Sequence, residues 1–296
     1  MQATVDRAAN VVMVVLLVSL SVRSLAMSTT PPYPNAPIAL AIVELRGPES
    51  PPLTRAEILS LKRAVQSTLP LFATERTRGF SMEVSPAGVR PVDGGEQELV
   101  KFLTRSRRTC VTFTTTSTII ETTDYKGWSD FKRFVEVGLS ARQDIAPMDG
   151  LVRLGIRIID EVRVPDHSRP DWADWLNSSL LAPRVESSGS ELQVKQQQAV
   201  VQYGGHDRGE TITVRYGAMD GPPVVTSAPN LVRPDLPVPG PFFLIDTDAA
   251  WEITDGEEMP AVSSTSALRL ADKLHAPMKE IFESFIADRL RKEVFA

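Results

Sequence analysis

The sequence predicts an α+β protein made of two α/β-sandwich-like halves, with mainly antiparallel sheets and a long C-terminal helix. The first observation behind this is residues 152–164, where Val152, Leu154, Ile156, Ile158, Val162 and Val164 fall on one face at period two while Arg153, Arg157, Glu161 and Arg163 fall on the other. That alternation marks a strand packed on one side and wetted on the other, as in antiparallel sheets. The second is the element order: strand, helix, strands, helix, strand, then short helix, hairpin, strand and long helix. It suits helices covering one face of a sheet better than a doubly wound parallel fold. The third is the stripe Leu270, Leu274, Met278, Ile281, Phe282, Phe285 and Leu290 at helical spacing between 266 and 294, which Pro277 should kink or divide.

Residues 37–45 read as a buried first strand closed by Arg46-Gly47-Pro48. Thr54-Arg55-Ala56-Glu57 is a capping box, and Ile58, Leu61, Val65 and Leu69 continue at helical spacing until Pro70 ends the helix. Periodicity is weak from 71 to 101, where 80–84 predicts a short strand and Gly94-Gly95 a turn. The Thr- and Ile-rich run 110–123 predicts a strand. Ser129 is placed to cap a helix carrying Phe131, Phe134, Val135 and Leu139 on its apolar face.

Residues 170–176 predict a short helix on which Trp172 and Trp175 are neighbours. Two strands, 191–203 and 210–216, flank the loop 204–209. The proline-dense stretch 222–241 must be an irregular crossing, and 242–248 returns to strand. A boundary near 165–170 divides the chain into 27–168 and 169–296, unless the halves share one core.

Composition narrows the classes. With 42% apolar and 23% charged residues the chain is an ordinary folded protein, and a net charge of -5 argues against broad nucleic-acid binding. The densest basic stretch, Arg105, Arg107 and Arg108 beside Lys101, reads as a solvated strand entry. The single cysteine, Cys110, excludes an intramolecular disulfide or a CxxC site and is expected to pack as a small hydrophobe.

Residues 11–22 are apolar, preceded by Arg7 and followed by Ser24-Leu25-Ala26, a signal-peptide pattern ending at Ala26. The run falls short of the roughly 20 residues a membrane span requires. The favoured reading sets 1–26 aside as a mis-assigned start, with Met27 opening a cytoplasmic protein that meets no membrane; export through a cleaved signal segment is the alternative.

Several local patterns resemble a sporadically distributed bacterial family of unknown function. They are Pro37-Ile38 with Glu44-Leu45-Arg46, Tyr125 with Trp128, the run 153–160, Ile245-Asp246-Thr247-Asp248, Leu274-His275 and Phe282-Glu283-Ser284-Phe285. The resemblance covers residues 35 to 293 and supplies no activity, ligand or catalytic residue. It departs from the pattern at Ile158 and Asp160, where an aromatic residue and an Asn are expected.

Few positions nominate chemistry. Asp246 and Asp248, two apart, project from one face of a strand and could share a divalent cation, or could be a solvated strand end. Asp160 lies in register with the apolar face, so it must be paired, protonated or close to the end of the sheet. His167, His206 and His275 show no metal-binding spacing, and no phosphate-binding glycine loop or nucleophile elbow occurs. No cofactor or metal is expected. Trp172 and Trp175 are candidate interface anchors, and Arg153 and Arg157 a candidate binding strand face. The expectation is therefore an intracellular binding or assembly protein without catalytic activity, meeting a protein partner or its own copy. The alternatives are a metal-assisted hydrolase or nuclease-like enzyme using Asp246 and Asp248, and an exported or membrane-associated protein.

Overall fold

The computed structural model describes residues 33–85, 88–165, 170–192, 194, 196–224 and 231–296. The segment 1–26, His167 and the 168/169 boundary lie outside the described residues.

The capping box forms: Thr54 Oγ1 accepts the Glu57 amide at 3.2 Å, and the Glu57 carboxylate accepts the Thr54 amide at 2.7 Å. It opens α1 (Arg55–Val65), which buries Leu61 and Val65. Before it runs β1 (Ile38–Arg46), and after it β2 (Leu71–Ser85) and β3 (Gly88–Leu103). Gly94-Gly95 is therefore inside a strand instead of a turn. The β2–β3 register shifts between Arg78 and Phe80, opposite Glu96 and Asp93, so the glycine pair belongs to a bulge.

The run 110–123 is a hairpin instead of one strand: β4 (Thr109–Phe113) and β5 (Ser117–Thr122). Thr114 breaks it, because its Oγ1 accepts the amides of Thr116 at 3.1 Å and Ser117 at 2.8 Å, a side-chain turn that competes with the ladder. Next come α2 (Trp128–Ile145), capped at Gly127 rather than Ser129, and β6 (Arg153–Val162). Residues 172–174 and 178–180 form two single 3₁₀ turns.

The small hairpin β7 (Glu186–Ser187) and β8 (Ser190–Glu191) precedes β9 (Ala199–Gly204), β10 (Glu210–Gly221) and β11 (Gly240–Glu252), so the strand expected from 191 begins only at 199. The C-terminal stripe becomes α3 (Ser264–Phe285) and α4 (Asp288–Glu293). Pro277 stays inside α3, and the division comes at Ile286, which bridges to Leu176.

Among the described residues, nine strands pair antiparallel throughout, in the order β2-β3-β4-β5-β1-β6-β11-β10-β9. The α+β class and the long C-terminal helix are both present. β6 pairs with β11, so both halves of the chain contribute to one sheet within the compact unit 31–296.

One face of the sheet carries Val43, Leu45, Val111, Ile120, Leu154, Ile156, Ile245 and Val214, packed against Leu61 and Val65 of α1, Phe131, Val135 and Leu139 of α2, and Leu274 and Met278 of α3. Each such large side chain contributes about 1.5–3 kcal/mol on burial. Gly138 lets α2 approach closely, since a Cβ there would meet Val111 at 3.1 Å and Ile120 at 3.3 Å.

Among the described residues, the opposite face is only half covered. The crossing between β10 and β11 lays Leu231 and Val224 against Leu40, Leu103, Cys110 and Ile159. Glu161 pins it, with a side chain 0% exposed that accepts the Val224 amide at 2.8 Å, Arg163 at 2.6 Å and the Arg233 guanidinium. The other end of that face has no described helix over it.

Candidate functional site

On that uncovered end the period-two alternation of four adjacent strands sets charged side chains in a row. β1 supplies Glu44 and Arg46, β6 Arg153 and Arg157, β11 Asp246 and Asp248, and β10 Arg215. Register brings them together: Arg46 pairs with Arg153, Arg157 with Asp248, and Asp246 with Arg215 across successive strands.

The side chains form a ladder of two ion-paired groups side by side, Glu44, Arg46, Arg153 and Asp248 in one and Arg157, Asp246 and Arg215 in the other, which meet where Arg157 and Asp248 stand in register. Arg46 Nη2 donates to both Glu44 oxygens at 3.0 and 3.1 Å, and Ser117 Oγ to the same carboxylate at 3.0 Å. Arg153 reaches Glu44 at 3.3 Å and holds both oxygens of Asp248 at 3.1 Å. Arg157 forks onto Asp246 at 2.7 and 2.8 Å, and Arg215 stands 3.9 Å from the same carboxylate. A forked guanidinium–carboxylate pair of this kind is strong and directional. Asp246 is buried, and its hydrogen bonds hold the Arg157 guanidinium above its usual pKa.

Gly155 shapes the ladder. It sits between Arg153 and Arg157 on this face, and a Cβ there would meet Arg153 Nη1 at 2.3 Å, so the guanidinium lies over the glycine. The motif Arg153-Leu154-Gly155-Ile156-Arg157 thus lets one arginine fold across the strand while the other stands out.

The arginines occupy the places a cation would take on Asp246 and Asp248. Among the described residues no group of three or more His, Cys, Asp or Glu is placed to hold a metal ion.

Asp160 is not part of this site. It projects from β6 into the helix-covered face between Ile38 and Ile245, is 4% exposed, and among the described residues no hydrogen bond or ion pair reaches its carboxyl. Burial, and after it the charge of Asp246, push that carboxyl up to about 8. Of the states open to it, the protonated one applies at neutral pH.

Trp172 and Trp175 also lie apart. Trp175 is buried under the Arg289 guanidinium, 4.1 Å from its ring centroid, and Trp172 is half-buried with its ring 5.5 Å from that of Phe243. Both rings turn inward, so the pair offers no free aromatic anchor. Cys110 is buried, and burial raises its thiol to about 11, the state of an inert packing group.

No protein-family model and no curated protein matches the chain. No helix among the described residues is long and apolar enough to cross a membrane.

Sequence reasoning missed two sets of polar residues. One is the cross-strand contribution of Glu44, Arg46 and Arg215 to the ladder; Glu44 and Arg46, alternating with Leu45, were the available signal. The other is a polar plug between α2 and α3. His275 stacks on Trp128 with centroids 4.4 Å apart and planes 10° apart, and its Nε2 lies 3.2 Å from the Tyr125 hydroxyl. Trp128 Nε1 and Lys132 Nζ donate to Asp272 at 2.8 and 2.6 Å. Burial lowers the His275 pKa to about 4, so the ring is neutral and its contacts are structural. Asp272 and His275, three apart on a helix, were a weak signal.

Proposed function

We propose that this is a binding protein without catalytic activity, which docks a protein partner on the charged, uncovered end of its sheet. One observation carries the reading: seven ionised side chains from four strands are fixed there in reciprocal ion pairs, on a surface where Arg46, Arg157 and Arg215 are still 44–49% exposed. Isolated surface pairs contribute little to stability, whereas forked pairs gathered in a network contribute more, so the ladder also holds the sheet together. As a docking surface it gives register and partner selection, because a partner must present the complementary charge pattern. The ladder carries four arginines against three carboxylates, which favours a partner face with a slight acidic excess. Three of the sequence stretches that resemble the bacterial family, 44–46, 153–160 and 245–248, contribute residues to or beside this face.

A second reading, metal-assisted hydrolysis at Asp246 and Asp248, draws on their shared face, but each carboxylate is already neutralised by a guanidinium that spans both of its oxygens. A cytoplasmic location belongs to the first reading, and the buried free thiol of Cys110 is compatible with it.

The test compares affinity capture from native cells by the wild-type chain and by an Arg46→Glu/Arg215→Glu double variant. Both arginines are about half exposed and Asp246 keeps Arg157, so the fold is expected to hold. A discrete partner should co-purify with the wild type, weaken as salt is raised, and be lost from the variant. Equal recovery by the two chains, or no partner with the wild type, would overturn the proposal.

A further inference from the structure

Arg142 lies in the last turn of α2 and is buried, with 3% exposure, yet its Nε and Nη1 have no hydrogen-bond partner. An unpaired guanidinium is among the costliest groups to bury. The carboxylate whose field reaches it, Glu57, is committed to the cap of α1 through both the amide and the hydroxyl of Thr54. No ion pair forms between Arg142 and any described residue.

Arg142 lines a small cleft between the end of α2 and the start of α3. The cleft holds about 20 Å³, with Leu45, Leu139, Met148, Val262 and Ala267 as apolar walls and Ser264 and Gln143 at its rim. Two sources of positive potential therefore meet there, the guanidinium and the N-terminus of a 22-residue helix, opposed by the carbonyl end of α2 alone. The rim offers no competing acceptor from Gln143, whose Oε1 already accepts the Ser264 amide at 2.6 Å. No carboxylate lines the cleft.

We infer that this cleft is a binding site for one small monovalent anion of chloride size, held by the Arg142 guanidinium at the N-terminus of α3. Size sets the class. A single water needs about 10–15 Å³ by the same measure, so the space admits one or two such particles and excludes phosphate or a nucleotide. Charge sets the sign, because water in the cleft would satisfy the N–H groups without neutralising the buried cation. The occupant ties the end of α2 to the start of α3, and so stabilises the helix layer on the other side of the sheet from the charged face.

The experiment measures thermal unfolding of the full chain in sodium chloride, bromide and gluconate at constant ionic strength, alongside an Arg142→Met variant. For the wild type the midpoint should rise by about 2–4 °C for each tenfold increase in chloride above the dissociation constant, and not with gluconate. Bromide should act as chloride does, although it is the more denaturing salt. The Arg142→Met variant should lose the halide dependence and be at least as stable as the wild type in gluconate, since it removes a buried charge that lacks its counter-ion. If the variant does not fold, the wild-type comparison decides alone, together with bromide located by anomalous scattering in the cleft. Equal midpoints in chloride and gluconate, or bromide absent from the cleft, would overturn the inference.

Discussion

Replacing Asp160 with Asn should make the protein less sensitive to alkali. In the fold, Asp160 is buried among apolar neighbours without a described partner, and its pKa stands at about 8 against an ordinary 3.8. A carboxyl whose folded-state pKa is raised favours the fold while both states are protonated, and the advantage is lost as pH rises from about 4 to about 8. Each pH unit in that window changes the stability by about 1.4 kcal/mol, so at pH 7, some three pH units above the pKa of the unfolded chain, the buried carboxyl costs about 4 kcal/mol, as an upper bound. Glu121, also raised by burial, acts in the same direction, whereas His275, lowered to about 4, stabilises the fold above its unfolded pKa and opposes Asp160 between pH 4 and 6.5. The difference between wild type and Asp160→Asn removes both. Urea unfolding of the two chains from pH 4 to 9 should show the wild type losing a few kcal/mol relative to the variant, steadily from about pH 4.5 to 7.5 and levelling off above pH 8. Parallel profiles would refute the reasoning and mean that Asp160 has an ion-pair partner.

Other expectations follow from the geometry. Arg157→Ala strips the fork from the buried carboxylate of Asp246 and should destabilise the fold by about 3 kcal/mol, while Arg157→Ala/Asp246→Ala recovers much of that loss, read by denaturant unfolding. Glu161→Ala leaves Arg163 and Arg233 without their carboxylate and unpins the β10–β11 crossing, which should raise hydrogen exchange at the Val224 and Val232 amides well before the sheet itself opens. Cys110 should resist thiol reagents at pH 8, modified only at the rate of unfolding; fast labelling of the native protein would contradict its buried, high-pKa state.

Residues with local causes were legible in the sequence. The alternation of 152–164 separated the two faces of β6 correctly, including Asp160 on the apolar side, because the pleat fixes side-chain direction whatever lies alongside. The Thr54–Glu57 cap is likewise a contact between near neighbours. Same-face placement of Asp246 and Asp248 was visible for the same reason. Their partners were not, because Arg157 is 89 residues from Asp246 and register between distant strands is set by the whole sheet. The hairpin at Thr114 was hidden by the strand propensity of threonine, whose hydroxyl here takes over the backbone amides. Burial of His275, Trp175 and Arg142 depends on how helices and turns meet, which periodicity within one element does not report.

The most direct test of the docking face is a photo-crosslinking residue placed at Thr213, beside the ladder on β10, with a control at Arg269 on the outer side of α3. A discrete adduct is expected from position 213 in native cells, abolished when Arg46→Glu/Arg215→Glu is added, and none of the same mass from position 269. Adducts of equal yield from both positions, or from neither, would contradict it.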